Sequence, residues 1–202
     1  MLPLTPVVNP SRRITLKQKN MNTIYLFLAD GFEDVEALGT VDILRRAGLH
    51  VRTVSIMKRL EVHSAHGITV RADELFEDAD HTLGEMLILP GGMPGASHLK
   101  DHNGLRAEIR MMAREGKSLA AICAAPMVYG DMGLLAGRRA TCYPGFEKFL
   151  QDATYTAAPV EQDGNFITGK GPGVTFDFAL AIVAKYCGDA KVAELRQGMM
   201  MA

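Results

Sequence analysis

The feature that most constrains this chain is an alternation of short, continuous apolar runs with stretches of helical periodicity. Residues 24–29 form an unbroken apolar run of strand length, and residues 35–47 then place Val35, Leu38, Val41, Ile43, Leu44 and Ala47 at helical spacing before Gly48. The same grammar returns at 118–123, another apolar run, which feeds a helix expected over 124–132. Between them lie a strand at 50–56, a hairpin-like stretch at 62–72 around Gly67, a short strand at 86–90 ended by Gly91-Gly92, and a helix at 105–116. Beyond them come short strands at 139–143 and 165–168, an apolar helix at 175–186 and a more exposed one at 191–199. Strands that alternate with helices of this length imply parallel strands joined by right-handed crossovers, with helices on both faces of the sheet. The expected fold is a doubly wound α/β sandwich.

Composition agrees with one compact domain: of 202 residues 48% are apolar and 22% charged. With 22 Lys and Arg against 23 Asp and Glu there is no basic excess to hold a nucleic-acid backbone, so no direct nucleic-acid binding is expected. No apolar run reaches the length of a membrane span. The three cysteines, Cys123, Cys142 and Cys187, are too few and too dispersed for a disulfide framework or a Cys-x-x-Cys metal site, which points to a reducing, cytoplasmic setting. Residues 1–20 differ from the rest: they hold four cations (Arg12, Arg13, Lys17, Lys19), no acid, and Pro3, Pro6 and Pro10. These prolines interrupt any signal-peptide core, so residues 1–20 read as a disordered extension or a mis-assigned start, with a single domain over 21–202.

In a doubly wound sheet ligands bind beyond the carboxyl ends of the strands. Three turns there carry unusual chemistry: Asp30-Gly-Phe-Glu-Asp-Val-Glu36, Pro90-Gly-Gly-Met-Pro-Gly95 and Cys123-Ala-Ala-Pro126. Cys123 sits where a strand turns directly into a helix, the nucleophile-elbow arrangement. Helix N–H groups there are expected to favour the thiolate and lower the thiol pKa. A buried, inert cysteine is the competing reading. Glu33, Asp34 and Glu36 suit a helix amino terminus, but Glu36 also falls on or near the apolar side, where burial would keep it protonated beside the sulfur. Gly91 and Gly92 let backbone N–H groups approach a ligand as an oxyanion hole requires, or simply make a tight turn. All six histidines precede Cys123 in sequence and Ala124 follows it, so no downstream or adjacent histidine base exists. His98 and His102 fall in a polar stretch read as solvated. His63 and His66 lack a third ligand nearby in sequence, so no metal is expected. No phosphate loop occurs, and Gly171-Pro-Gly173 reads as a rigid lead-in to the helix at 175–186.

Four separated motifs, in order, resemble the ThiJ/PfpI superfamily, in the branch of the Parkinson-disease protein deglycase and the bacterial protein YajL. They are Gly31-Phe-Glu-Asp-Val-Glu-Ala37 with Val41-Asp-Ile-Leu-Arg-Arg-Ala-Gly48, Leu89-Pro-Gly-Gly92 with Gly95-Ala96, Ala120-Ala-Ile-Cys-Ala-Ala-Pro126, and Gly169-Lys-Gly-Pro-Gly173 with Phe176-Asp-Phe-Ala-Leu-Ala181. The resemblance implies a flavodoxin-like, class I glutamine amidotransferase-like domain that forms a homodimer. It implies Cys123 as nucleophile, Glu36 as the acid beside it, an oxyanion hole from Gly92 and Ala124, and Gly91, Glu33 and Tyr143 lining the pocket. The activity implied is that of a cofactor-independent protein deglycase or glyoxalase acting on methylglyoxal, glyoxal or their protein and nucleotide adducts. A redox-sensing chaperone whose cysteine is oxidised to sulfinate, and hydration of an isocyanide, stay open beside it. One departure stands out: Tyr143 occupies the place where the human member has a histidine. Ala124, where the protease branch has its histidine, disfavours proteolysis and amidotransfer.

Overall fold

The computed structural model describes residues 23–201. The expected extension over 1–20 and the start at Met21 lie outside these residues. The chain opens with β1 (Thr23–Leu28), α1 (Asp34–Arg46), β2 (Val51–Ser55) and the small strands β3 (Glu61–His63), β4 (Thr69–Arg71) and β5 (Glu74–Leu75). It continues through β6 (Gly84–Leu89), α2 (Gly95–Asp101), α3 (Asn103–Arg114), β7 (Ser118–Ile122) and α4 (Pro126–Asp131). The last third holds β8 (Arg139–Ala140), β9 (Thr154–Tyr155), β10 (Val160–Asp163), β11 (Phe166–Gly169), α5 (Thr175–Cys187) and α6 (Asp189–Gly198).

The main sheet has seven strands in the order β10-β11-β7-β6-β1-β2-β5, parallel except for β10. The step from β1 to β2 runs one way along the sheet and the step from β6 to β7 runs the other. Right-handed crossovers therefore put α1 on one face and α2 and α3 on the opposite face. α5 packs back onto α1, where Gly39 makes room for Thr175 and Phe176. The central strands β1, β7 and β11 are buried at every residue, which is why they read as unbroken apolar runs rather than alternating ones. Phe27, Leu28, Leu87 and Ile88 are fully buried, each worth roughly 1.5–3 kcal/mol relative to exposure.

α1 is well delimited. The Glu33 carboxylate accepts the Glu36 N–H, Asp34 and Glu36 stand in the first turn and Arg45 and Arg46 in the last, and Gly48 leaves the helix at φ +85°. The buried residues of α1 are Asp34, Glu36, Ala37, Thr40, Val41, Ile43 and Leu44. Val35 and Leu38, which the periodicity counts as core, are 49% and 37% exposed. The hairpin around Gly67 forms as β3 and β4. The strand expected over 139–143 is shorter: only Arg139–Ala140 pairs, with β9, outside the main sheet. After it the Thr141 N–H bonds the Thr168 side chain and the Tyr143 N–H bonds Cys123, so the segment lies across the carboxyl ends of β7 and β11. Among the described residues no helix is long and apolar enough to cross a membrane.

Candidate active site

Because β7, β6 and β1 are neighbours, the turns that follow them meet. Cys123, directly after β7, adopts φ +64°, a left-handed conformation that costs a non-glycine residue on the order of 1–3 kcal/mol. Bonds on both sides hold it there: its N–H donates to Gly169 O at 2.9 Å and its carbonyl accepts the Tyr143 N–H at 2.8 Å. The strained elbow turns the sulfur towards α1 and the Gly91-Gly92 turn while leaving Cys123 only 8% exposed.

Glu36 arrives from the first turn of α1 and is fully buried. Its Oε2 accepts the Gly91 N–H at 2.8 Å, while the Glu33 N–H donates to Gly91 O at 2.9 Å, so the β1–α1 turn and the β6 turn clasp each other. Among the described residues Glu36 Oε1 has no hydrogen-bond partner, and the carboxyl interacts with the Cys123 thiol. Gly91 makes this approach possible. A Cβ there would stand 2.6 Å from Cys123 Cβ and 2.7 Å from Glu36 Oε2. Gly92, at φ +88°, presses its α-carbon against the Glu33 backbone. The N–H groups of Gly92 and Ala124 are both directed at the Cys123 sulfur.

Burial pushes the Glu36 carboxyl up to about 7, against the pull of hydrogen bonds from Cys123 and Gly91. The Cys123 thiol is pushed up as well, first by burial and then by the ionised Glu36, and the Ala124 and Gly92 N–H groups offset only part of this. This corrects the expectation of a lowered thiol pKa. α4 is a six-residue helix and the Ala125 N–H is already bonded to Ile122 O, so the helix end offers little field. Above pH 7 the pair therefore keeps one proton, on sulfur, with the carboxylate placed to accept it.

Tyr143 is 46% exposed beside the elbow, with its ring against Gly171. Glu33, half of the clasp, is largely buried and spends one oxygen on the Glu36 N–H at 2.7 Å. The histidines are engaged elsewhere: His50 with Thr23, His63 with Thr69, His66 with Asp34, His81 with Phe76 O and Glu108, His98 with Asp30 O and His102 with the Leu105 N–H. Of the pair expected to be solvated, only His102 departs. His98 is exposed, whereas His102 caps α3 and sets its half-buried ring edge-on to Phe76.

Folding also does what sequence distance concealed at His66, which meets Asp34 at 2.7 Å with Glu33 alongside, the three offering ligand atoms within 4.8 Å of one another. The bonds in place account for the cluster: Asp34 raises the pKa of His66 and is itself lowered by Ser64 and His66 against its own burial, while Glu33 caps α1. A separate cavity of about 240 Å³, lined by Tyr25, His50, Arg52 and Glu74 among others, lies at the amino-terminal end of β1, the end of the sheet opposite Cys123.

The sequence profile described as the DJ-1/PfpI family matches residues 22–185. A relative named protein DJ-1 homolog B, from Arabidopsis thaliana, is 38% identical over 176 residues, covering 86% of this chain but 40% of its own length. The chain thus spans less than half of that relative. A protein of Pyrococcus abyssi named a deglycase is 35% identical over 74% of this chain and 90% of its own length. The crystal structure of a DJ-1 superfamily protein from Salmonella typhimurium, solved as a cysteine-to-alanine mutant, superposes with a TM-score of 0.86 at 36% identity, over 90% of this chain and all of the other. Sheet order, elbow and profile match converge on one assignment: the chain belongs to the DJ-1/PfpI family.

Proposed function

We propose that the chain is a cofactor-independent cysteine enzyme that acts on methylglyoxal, glyoxal or their protein and nucleotide adducts. The observation that carries this reading is the buried Glu36 carboxyl facing the Cys123 thiol, with the Gly92 and Ala124 N–H groups converging on the same sulfur. The name of the Pyrococcus abyssi relative supports it. Cys123 Sγ adds to the aldehyde carbon, so a C–S bond forms, the carbonyl pair moves to oxygen and the thiol proton passes to Glu36. The Gly92 and Ala124 N–H groups receive the oxyanion, and Glu36 then returns the proton to give the hemithioacetal. Glu36 next takes the proton from the former aldehyde carbon and delivers it to the neighbouring carbon, while the hydroxyl proton passes to the neighbouring oxygen, which converts the methylglyoxal adduct to a lactoyl thioester. Water cleaves the thioester, releasing lactate and restoring the thiol. In an adduct of a protein thiol, amine or nucleotide the reacting carbon is already tetrahedral, so Cys123 Sγ displaces the repaired group: the C–S bond to Cys123 forms as the bond to that group breaks, its electron pair leaves with it, the thiol proton passes through Glu36 to the departing atom, and the same Cys123 hemithioacetal results. Tyr143 donates a hydrogen bond to a substrate oxygen.

The same pair supports a second reading, a redox-sensing chaperone in which peroxide oxidises Cys123 to sulfinate stabilised by a hydrogen bond from Glu36. Glu36→Gln separates the two. It removes proton transfer and hence turnover, but an amide still donates a hydrogen bond, so sulfinate formation largely survives. Loss of both activities, or of neither, would contradict this division.

We further propose a single domain over 21–202, a cytoplasmic location and a homodimer. Val35 and Leu38 from α1 and Phe176 from α5 form an exposed apolar patch around Gly39, which suits an isologous contact with a second copy. Sedimentation of the wild type should show a dimer and that of Val35→Asp/Leu38→Asp a folded monomer. A wild-type monomer, or a dimer indifferent to both charges, overturns the assignment.

A further inference from the structure

The concavity next to the elbow is larger than the small aldehydes require. It is an open hollow of about 310 Å³ bounded by Tyr143, Pro144 and residues 170–174. At the roughly 30 Å³ occupied by a water-sized group, the five non-hydrogen atoms of methylglyoxal fill about half of it. Its position is tied to the thiol through the backbone. Lys170 follows Gly169, whose carbonyl receives the Cys123 N–H, and Tyr143 donates its own N–H to the Cys123 carbonyl. The Tyr143 ring rests on Gly171, where a Cβ would come within 3.2 Å of Cδ2, so glycine keeps this wall flat.

The lining is proline rings, glycine backbone, the side chain of Val174 and the Tyr143 ring, with one charged side chain, Lys170. Its ammonium makes a long 3.4 Å bond to Ala157 O. Arg138 and Arg139 nearby are paired with Asp163 and Glu161, whereas among the described residues Lys170 forms no ion pair with a carboxylate. A cation without an acidic partner in an apolar hollow is suited to an anion that brings its own apolar stem.

We propose that this hollow holds the group attached to the reacting carbons, and that Lys170 selects substrates in which that group carries a carboxylate or phosphate. The proposal deepens the reading above and rests on Cys123 being the nucleophile. It makes adducts of peptides or nucleotides better substrates than free methylglyoxal.

The test pairs substrates that differ only in charge: methylglyoxal hemithioacetals of N-acetylcysteine and of its amide for the carboxylate, and methylglyoxal adducts of guanosine monophosphate and of guanosine for the phosphate. The expected kcat/KM of the wild type is at least tenfold higher for the anionic member of one pair or both, which also tells carboxylate from phosphate. Lys170→Met should abolish the preference by raising KM for the anionic member of each pair far more than for the neutral one, and Lys170→Arg should restore it. No preference in the wild type, or a preference that persists in Lys170→Met, overturns the subsite. If every rate equals the Cys123→Ser background, the catalytic reading fails instead. Calorimetric binding of S-lactoyl-N-acetylcysteine and its amide to Cys123→Ser, with and without Lys170→Met, then decides the subsite. Lys170-dependent tightening for the acid upholds it, and equal affinities refute it.

Discussion

Glu36→Gln is expected to lower turnover of methylglyoxal by about 10²–10⁴-fold, the range for loss of a positioned acid–base group, while making the fold more stable above pH 7. The two effects share one cause. Burial lifts the Glu36 carboxyl from 4.5 to about 7, so the folded protein binds this proton more tightly than the unfolded chain does. For such a group stability falls as pH rises between 4.5 and about 7 and stays low above, because the native state must then bury a charge. At about 1.4 kcal/mol per unit, the charge costs up to about 3 kcal/mol at pH 8. Glutamine fills the same space, still accepts the Gly91 N–H and has no charge to bury. Its Tm should exceed that of the wild type by several degrees at pH 8, taking roughly 2–4 °C per kcal/mol for a domain of this size, and the difference should close towards pH 4. Removing the carboxylate also removes a charge that raises the Cys123 thiol, so thiolate absorbance should appear at lower pH in the variant. Full activity, or a lower Tm at pH 8, would contradict this account of the pair.

Gly91→Ala is expected to damage activity and stability together. The new methyl group would lie 2.6 Å from Cys123 Cβ, 2.7 Å from Glu36 Oε2 and 3.1 Å from the Ala124 nitrogen. None of these yields cheaply: Cys123 is pinned at a positive φ by two backbone bonds, and Glu36 is enclosed on every side. Carboxyl and thiol must separate by several tenths of an ångström to about one ångström, for which roughly a hundredfold loss of rate is expected, and overpacking should cost about 1–3 kcal/mol. Gly198→Ala is the control, since among the described residues nothing lies within 4 Å of the added methyl group. Thermal melts and initial rates of the two variants check the contrast, and an active, stable Gly91→Ala protein would show that the close approach is not needed.

Much of the architecture is legible because central parallel strands are buried on both faces. The runs at 24–29 and 118–123 become β1 and β7, and the elbow follows from a strand ending at Cys123 with a helix close behind. What is not legible has physical reasons. Helical spacing identifies an apolar stripe on α1 but not its buried edge, which turns out to centre on Glu36 and Ala37 and leaves Val35 in solvent. β5 and β9 have two residues each and exist through backbone pairing, too short for any pattern. β10 did leave a signal, the Asp163-Gly164-Asn165 turn before Phe166, which the reading of a lone strand at 165–168 passes over. The Asp34–His66 contact joins residues 32 apart and depends on where β3 and β4 fold. The thiol pKa is the main electrostatic surprise. Sequence shows a helix after the cysteine, whereas the depth of burial and the facing carboxyl, both products of tertiary structure, outweigh it.

The central claim is that Cys123 carries out chemistry on an α-oxoaldehyde. Its most direct test is to incubate wild type and Cys123→Ser with methylglyoxal, without glutathione, and to follow D- and L-lactate enzymatically. The account predicts lactate formation that depends on Cys123, whereas wild-type lactate no higher than the Cys123→Ser background would contradict it.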